Sequence, residues 1–405
     1  MPKPILNVAL AGYAFMGRAH SNAFRQVNHF FPDSPYQVVP KVLVGRSEGP
    51  LKEAAALLGW QEYSTDLDAV LKRDDIHLLD VATPNDSHVS LSIKALKAGK
   101  HVLTEKPLAL NAKEGRQLLA VAQTAKTRSG KPCRVGLWHN YRRAPAASTM
   151  AGMIADGKIG EIRHVRAVYL QDWLLDDACP GSWRMKAKTS GSGAHGDLNA
   201  HLIDMTRFLT GLEFDEVSGI EQTFIKKRRN GDGKGTIDVD VDDALLFIAK
   251  LSNGGLASFE ATRAAAGRKN WNQIEINGTT GSLLWNFERM NEFQYYSVED
   301  QDARAKGFRT VMAMDGAVHP YAGNYWPNGH VMGYEHTFIN HLADFLKALA
   351  SGDEFRPDYS DGVANQEVLD AALKAAKTRK WVTVERSQKL KPARAAKAIA
   401  GKSLL

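Results

Sequence analysis

ILNVALAGYAFMGRAH, residues 5–20, is the stretch on which the fold turns. Its first seven residues are apolar and β-rich, as a short buried strand is, and they run into a glycine. GYAFMG then sets Gly12, Ala14 and Gly17 in the spacing G-x-G-x-x-G, with alanine at the middle position. RAHSNAFRQV follows with helical spacing. Strand, glycine loop and helix in that order predict a dinucleotide-binding turn. Gly12 permits the tight turn, Gly17 lets the helix pack closely on the strand, and at Ala14 the backbone must approach a pyrophosphate past one methyl. The free N–H groups and positive dipole end of the helix would take the phosphates. Tyr13, Phe15 and Met16 fall inside the same turn and are candidate cofactor contacts.

The pattern repeats outward from this unit. VVPKVLVGR (38–46), IHLLDVATP (76–84), KHVLTEKP (100–107) and PCRVGLWH (132–139) read as strands, with PLKEAAALLG, SHVSLSIKALKAG and AKEGRQLLAVAQTAKTRSG as helices between them. Apolar strands alternating with amphipathic helices predict an α/β fold with a parallel sheet covered on both faces. From about residue 134 the pattern changes to alternating strands joined by turns such as SNGG and NGTTG, which predicts a large, mostly antiparallel open sheet. With 405 residues the chain exceeds one ordinary core. The expected division is therefore a Rossmann dinucleotide-binding domain at 1–133, an α/β substrate-binding and oligomerisation domain at 134–385, and a basic tail at 386–405.

Composition narrows the partners. No apolar run is long enough for a membrane span, and the start runs straight into a strand with no room for a signal peptide, so a cytoplasmic setting is expected. Cys133 and Cys179 cannot make a disulfide framework and lack zinc-site spacing. The net charge of +7 raises nucleic-acid binding, but the tail from Arg386 holds six bases and no acid, leaving the body near neutral. No nucleic-acid reading motif accompanies the charge, and none is expected as partner.

Three places carry chemistry. The second strand ends in Gly45, Arg46 and Ser47 where an acid usually holds the ribose hydroxyls; Arg46 could stack on adenine or pair with the extra phosphate of NADP, or stand solvated in a loop. ATPNDSH (82–88) and TEKPLALN (104–111) close strands whose carboxyl ends face ligands in open α/β sheets. Lys106 there could favour a developing alkoxide, or merely reach along the strand end to water. The third place is SGSGAHGDLNAHLID (190–204), with His195, Asp197, His201 and Asp204. Asp197 and His201 share a helical face at i, i+4, and Asp204 follows on roughly the same stripe. A metal site, a capped helix with a buried histidine, and an acid/base constellation all satisfy that spacing; no third ligand cluster supports the metal, and none is expected.

GYAFMG, ATPN..H, EKP and GSGAHGDLNAHLID stand in the order and spacing of the Gfo/Idh/MocA family, which the chain resembles from residue 5 to about 213 and more weakly over 330–384. HNYRRAP (139–145), LQDW (170–173) and GYEHTF (333–338) look most like its levoglucosan dehydrogenase-like branch of sugar 3-dehydrogenases. The resemblance implies a pyridine-nucleotide oxidoreductase with NAD as cofactor, or NADP because of Arg46, acting on a secondary hydroxyl, C3 in that branch, of a sugar, glycoside or anhydrosugar. It implies catalytic roles for Lys106, Asp197 and His201, and a cofactor lining of Gly12, Ala14, Gly17, Thr83, Pro84, Asn85, His88, Glu105 and Lys106. Homodimers or homotetramers are the family's habit. His201, an imidazole of ordinary pKa near ~6.5, is the natural general base; Lys106 would hydrogen-bond the same oxygen, and Asp197 would bind a neighbouring hydroxyl or orient the histidine. Tyr141, Trp173, Arg184 and His330 are the expected sugar contacts, since sugars need flat apolar faces and planar donors. Two rival functions remain: an enzyme that keeps and recycles its NAD to assist elimination or epimerisation, and a non-catalytic NAD-binding regulator.

Overall fold

β1 (Ile5–Ala11) passes from an exposed Ile5 to fully covered Val8, Ala9 and Leu10 at the heart of a sheet. The computed structural model describes residues 2–231 and 233–387; the basic tail expected over 386–405 lies, from residue 388 onward, outside them. After β1 come α1 (Phe15–Phe30), β2 (Gln37–Val44), α2 (Glu48–Leu58), β3 (Glu62–Ser64), α3 (Leu67–Lys72), β4 (Leu78–Val81), α4 (His88–Lys97), β5 (His101–Thr104), α5 (Ala112–Thr124) and β6 (Val135–Leu137). The six strands pair in parallel in the order β3-β2-β1-β4-β5-β6. The small β3–α3 unit is an addition to the sequence reading, because a three-residue strand with the sequence EYS shows no apolar run. The order reverses between β1 and β4, so the loops after these strands part and open a crevice at the carboxyl edge.

The second architecture begins with α6 (Pro145–Ala155), β7 (Ile162–Leu170), α7 (Ala187–Ser190) and α8 (Ala200–Thr210). It continues with β8 (Phe214–Gln222), the small pair β9 (Lys227–Arg229) and β10 (Thr236–Asp238), then β11 (Ala244–Leu251), β12 (Leu256–Thr262), β13 (Trp271–Gly278), β14 (Gly281–Asn286), β15 (Glu292–Ser297) and β16 (Arg309–Met312). The last elements are α9 (Tyr334–Ser351), α10 (Tyr359–Thr378) and β17 (Val382–Thr383). Nine strands form one sheet ordered β16-β15-β14-β13-β7-β12-β11-β8-β17. Neighbours are antiparallel except β7 and β12, which run parallel; no hairpin joins those two, so no tight turn imposes a direction.

One face of this sheet is core. In β11 Leu245, Phe247, Ala249 and Leu251 are buried while Leu246 and Ile248 stand out, the period-two alternation of a one-sided sheet. Phe247 stacks on Phe259 of β12 with ring centroids 4.4 Å apart, a pairing that adds about 0.5–1.5 kcal/mol to the burial itself. On the opposite face Ile220, Leu246, Ile248 and Leu256 form an exposed apolar row.

By its contacts the chain divides into two units, Met1–Asn140 with Gly333–Val363, and Tyr141–Met332 with Ala364–Leu405. The first unit therefore keeps β6 and regains the chain at Gly333. There α9 packs along α1, and Trp138 meets Phe338 and His341 at 5.6 and 4.7 Å between ring centroids. Among the described residues no helix is long and apolar enough to cross a membrane.

Candidate functional site

The first unit builds a phosphate cradle from sterics. Gly12 has φ +99°, and a Cβ there would lie 2.5 Å from the Ala82 carbonyl oxygen. A Cβ on Gly17 would run into the carbonyl of Gly12. Both positions therefore demand glycine. Ala14 is different: it is the N-cap of α1 with φ −75° and ψ −155°, a conformation any L-residue adopts, so alanine costs the backbone nothing. No side chain caps α1 and its first turn holds no acid; the leading N–H groups are left to an anion, and the cradle fits a dinucleotide pyrophosphate. Phe15, largely exposed, stacks on Tyr334 at 6.0 Å, whose hydroxyl reaches the Met16 sulfur at 4.0 Å. Tyr13 packs over Gly45 at the end of β2, and Arg46 stands exposed beside it.

The loops after β4 and β5 are tied to each other. His88 is fully buried; its Nδ1 lies 2.8 Å from the Pro107 carbonyl oxygen and its Nε2 2.9 Å from that of Thr83. Burial lowers its pKa. This corrects the expectation that His88 lines the cofactor, since a ring with no exposed surface serves the two loops instead. Thr83 shares a hydroxyl contact of 2.6 Å with Ser87, and the Pro84–Asn85 turn opens a short 3-10 stretch that leads into α4. Glu105 is likewise buried, and its Oε2 accepts the Lys106 backbone N–H at 3.0 Å. Lys106 follows β5 half-buried, at the carboxyl edge of the sheet.

In the second unit the run SGSGAHGDLN is folded by a residue the sequence reading missed. Asp242 is buried and accepts the backbone N–H groups of Gly193 and His195, each at 2.7 Å, while its carbonyl accepts that of Ala194 at 3.1 Å. A Cβ on Gly193 would run into that carbonyl, which explains the glycine. Residues His195–Asn199 then form a π-type turn before α8. Extra turns of this kind gather at functional sites.

The wider turn separates the four polar residues that spacing had grouped. His195 is structural: its Nε2–H donates to the Leu369 carbonyl at 2.9 Å, and its Nδ1 accepts from Asn199 at 3.0 Å. Burial lowers its pKa, and those two bonds fix one neutral tautomer. Asp204 is the carboxylate of a buried ion pair, taking Arg142 Nε at 2.8 Å and Nη2 at 2.5 Å, with Asn365 as a third donor at 2.9 Å. It is thereby withdrawn from acid/base work. Neither is Asp197 a helix cap. Its Oδ2 accepts Arg263 Nη2 at 2.7 Å, across 66 residues of sequence.

His201 and Asp197 are instead joined by a circuit of side chains. The His201 ring lies on Tyr141 at 4.4 Å and 20°. Tyr141 and Tyr169 hydroxyls meet at 2.9 Å, and Tyr169 donates to Asn270 Oδ1 at 2.7 Å. Gln171 donates to the same oxygen at 2.9 Å and accepts Trp173 Nε1 at 2.9 Å. The Arg263 guanidinium lies 5.3 Å from the Trp173 ring and closes the circuit on Asp197. Arg184 stacks on Trp183 at 4.4 Å; burial lowers its pKa, Asp197 opposes that and Arg263 adds to it, which puts it within electrostatic reach of the pair. Trp173 is 40% exposed and offers a flat face.

His330 sits on an exposed turn with its ring at 2.9 Å from the Pro327 carbonyl. Trp138 is fully buried and donates to Asp80 at 2.8 Å. Arg263, Asn270 and Asp242 carried no local signal, whereas Gln171 lies in the LQDW stretch already singled out. Among the described residues no three His, Cys, Asp or Glu side chains gather as a metal site.

Two family models cover most of the chain. One described as an oxidoreductase family with an NAD-binding Rossmann fold matches residues 6–131, and the GFO/IDH/MocA C-terminal domain matches residues 148–284. The chain is 38% identical to levoglucosan dehydrogenase of Pseudarthrobacter phenanthrenivorans over 94% of its own length and 98% of that protein's. A crystal structure of an oxidoreductase domain protein from Kribbella flavida superposes with TM-score 0.90 at 44% identity, covering 94% of this chain and all of that one. Levoglucosan dehydrogenase in complex with NADH and levoglucosan superposes with TM-score 0.88 at 39% identity, over 94% and 99% of the two chains.

Proposed function

Because the chain belongs to the GFO/IDH/MocA family of NAD-binding oxidoreductases, we propose that it oxidises a secondary hydroxyl, C3, of a sugar, glycoside or anhydrosugar of the levoglucosan type. The observation that carries the reading is the circuit that joins His201 to Asp197. It supplies an imidazole supported from behind by Tyr141 and a carboxylate steered by Arg263.

In this reading the turn Gly12–Gly17 and the start of α1 hold the pyrophosphate, with Thr83, Pro84 and Asn85 beside it. When bound, the nicotinamide supplies the hydride acceptor. His201 takes the proton of the carbinol. Lys106 donates to the oxygen as negative charge develops there. Asp197 accepts from a neighbouring hydroxyl, Arg184 donates to another, and Trp173 covers an apolar C–H face. NAD is the preferred cofactor. Exposed Arg46, at the strand end where an acid would repel a 2′-phosphate, supports NADP as a second substrate.

A spectrophotometric screen of levoglucosan, other anhydrosugars, pyranoses, glycosides and cyclitols, run in parallel with NAD and NADP, tests this. Reduced cofactor at 340 nm is expected with at least one sugar; silence across the panel defeats the proposal. The exposed row Ile220, Leu246, Ile248 and Leu256 supports a homo-oligomer that buries it. Light scattering is expected to give a multiple of the chain mass, and a monomer at micromolar concentration contradicts that.

A further inference from the structure

His20, three residues past the fingerprint glycine, is a fully buried ionisable group of the first unit that the proposed chemistry leaves without a task. It lies on α1 with no exposed surface. Its Nδ1 meets Asp80 Oδ2 at 2.7 Å and its Nε2 meets Glu105 Oε1 at 3.0 Å. Both ring nitrogens thus face carboxylate acceptors, and an imidazole that donates from both nitrogens carries two protons. Burial disfavours that cation, but the two carboxylates outweigh it and push the pKa up to about 9.

The remaining carboxylate oxygens are also accounted for. Asp80 Oδ1 takes the indole N–H of Trp138 at 2.8 Å, and Glu105 Oε2 takes the backbone N–H of Lys106 at 3.0 Å. Trp138 and Phe338 close over the ring at 4.4 and 5.4 Å between centroids. Every donor and acceptor of the cluster has a partner, which is the condition under which a buried ionic network is rigid instead of costly. Its members stand on α1, at β4, directly after β5 and directly after β6. The chain therefore holds the helix that starts at the phosphate cradle to the peptide from which Lys106 emerges, through a single ring.

We propose that His20 is a positioning residue for Lys106: clamped between Asp80 and Glu105, it registers the peptide of Lys106 against the helix that begins at the dinucleotide turn. The inference rests on the proposed role of Lys106 at the reacting oxygen. Displacing a reacting group by about 1 Å can cost roughly 100-fold in rate, and loss of the clamp acts in that way. Glutamine at 20 has one amide nitrogen in place of two ring nitrogens on opposite sides, so it cannot donate to Glu105 Oε1 and Asp80 Oδ2 as the ring does.

The test is a double-mutant cycle on the full chain: His20→Gln, Lys106→Ala and the pair, with levoglucosan or the best sugar of the screen. It is read as kcat and KM, with NADH affinity by fluorescence and Tm measured alongside. His20→Gln is expected to lower kcat roughly 100-fold while NADH affinity stays within about threefold. In the Lys106→Ala background the same substitution is expected to change kcat less than about threefold, because there is no ammonium left to position. Full turnover in His20→Gln overturns the inference, and so do losses that simply multiply in the double variant. Wild-type turnover in Lys106→Ala overturns the role of Lys106 and the inference with it, a different result from multiplying losses. If His20→Gln does not fold, Asp80→Asn, which keeps the shape and the indole contact, takes its place in the same cycle.

Discussion

Arg263 Nη2 donates to Asp197 Oδ2 at 2.7 Å, and the guanidinium is almost wholly buried while the carboxylate is about one-third exposed. The pair is directional. The cation is held by the fold and the anion is presented by it. Arg263→Met frees Asp197 to rotate and hydrate, so kcat/KM for the sugar is expected to fall roughly 10–100-fold, the worth of one charged hydrogen bond. Arg263→Lys, which keeps the charge but not the planar fork, is expected to fall less. Steady-state kinetics on both variants checks the order, and equal losses would refute a steering role for the guanidinium.

His201 lies against Tyr141. His201→Asn removes the base while retaining a polar group, and kcat is expected to fall by about 10²–10⁴-fold. NADH affinity, measured by fluorescence, is expected to hold. An acidic limb of the kcat/KM–pH profile, expected when a histidine acts as the general base, is expected to disappear in the variant. A profile that keeps that limb would assign the proton transfer to another group.

Alanine at the middle of the glycine fingerprint has a negative φ, so its methyl imposes no backbone cost. Ala14→Gly is therefore expected to change the NAD dissociation constant less than about fivefold, the scale of a glycine's added backbone freedom. Gly12→Ala is the contrast, because its φ of +99° and the Ala82 carbonyl 2.5 Å from the added carbon leave nowhere for a methyl. Titration calorimetry of the two variants is expected to show a loss above about tenfold in the second alone.

Stability is expected to peak near pH ~6.5, falling through the window up to about 9 as His20 loses its advantage and falling again at lower pH. His20 is raised to about 9, burial opposing the cation and Asp80 and Glu105 overcoming it. The folded chain thus holds a proton that an unfolded imidazole releases above ~6.5. That contribution is complete below ~6.5 and is lost as pH rises through about 9. His101 goes the other way, lowered to about 4 by burial, with His77 and Arg134 adding to it. Burial lowers His88 and His195 as well. Below ~6.5 the unfolded chain binds protons that these rings refuse, so stability falls as pH drops. Denaturant midpoints near pH 5, 7.5 and 10 measure both limbs, and His20→Gln is expected to flatten the alkaline one. A midpoint that rises steadily to pH 10 contradicts the assignment of His20.

Much of this was legible in the residues themselves. The parallel sheet follows from apolar runs and helical spacing, and the cradle follows from glycines whose absent side chains are visible in any copy of the sequence. Lys106 and His201 stood out because they close motifs. The grouping of His195, Asp197, His201 and Asp204 failed at its ends, because i, i+4 spacing records a face and not a partner, and a π-type turn shifts the face itself.

Local order in this protein is therefore a property of its sequence: strand, turn and helix arise from sterics and periodicity acting within about ten residues. The task of each polar side chain was decided only when distant segments met. Asp204 found Arg142 62 residues away, Asp197 found Arg263 66 residues away, and Glu105 found His20 85 residues away. Electrostatic and hydrogen-bond energies depend on separation in space and on dryness, and neither is written along the chain.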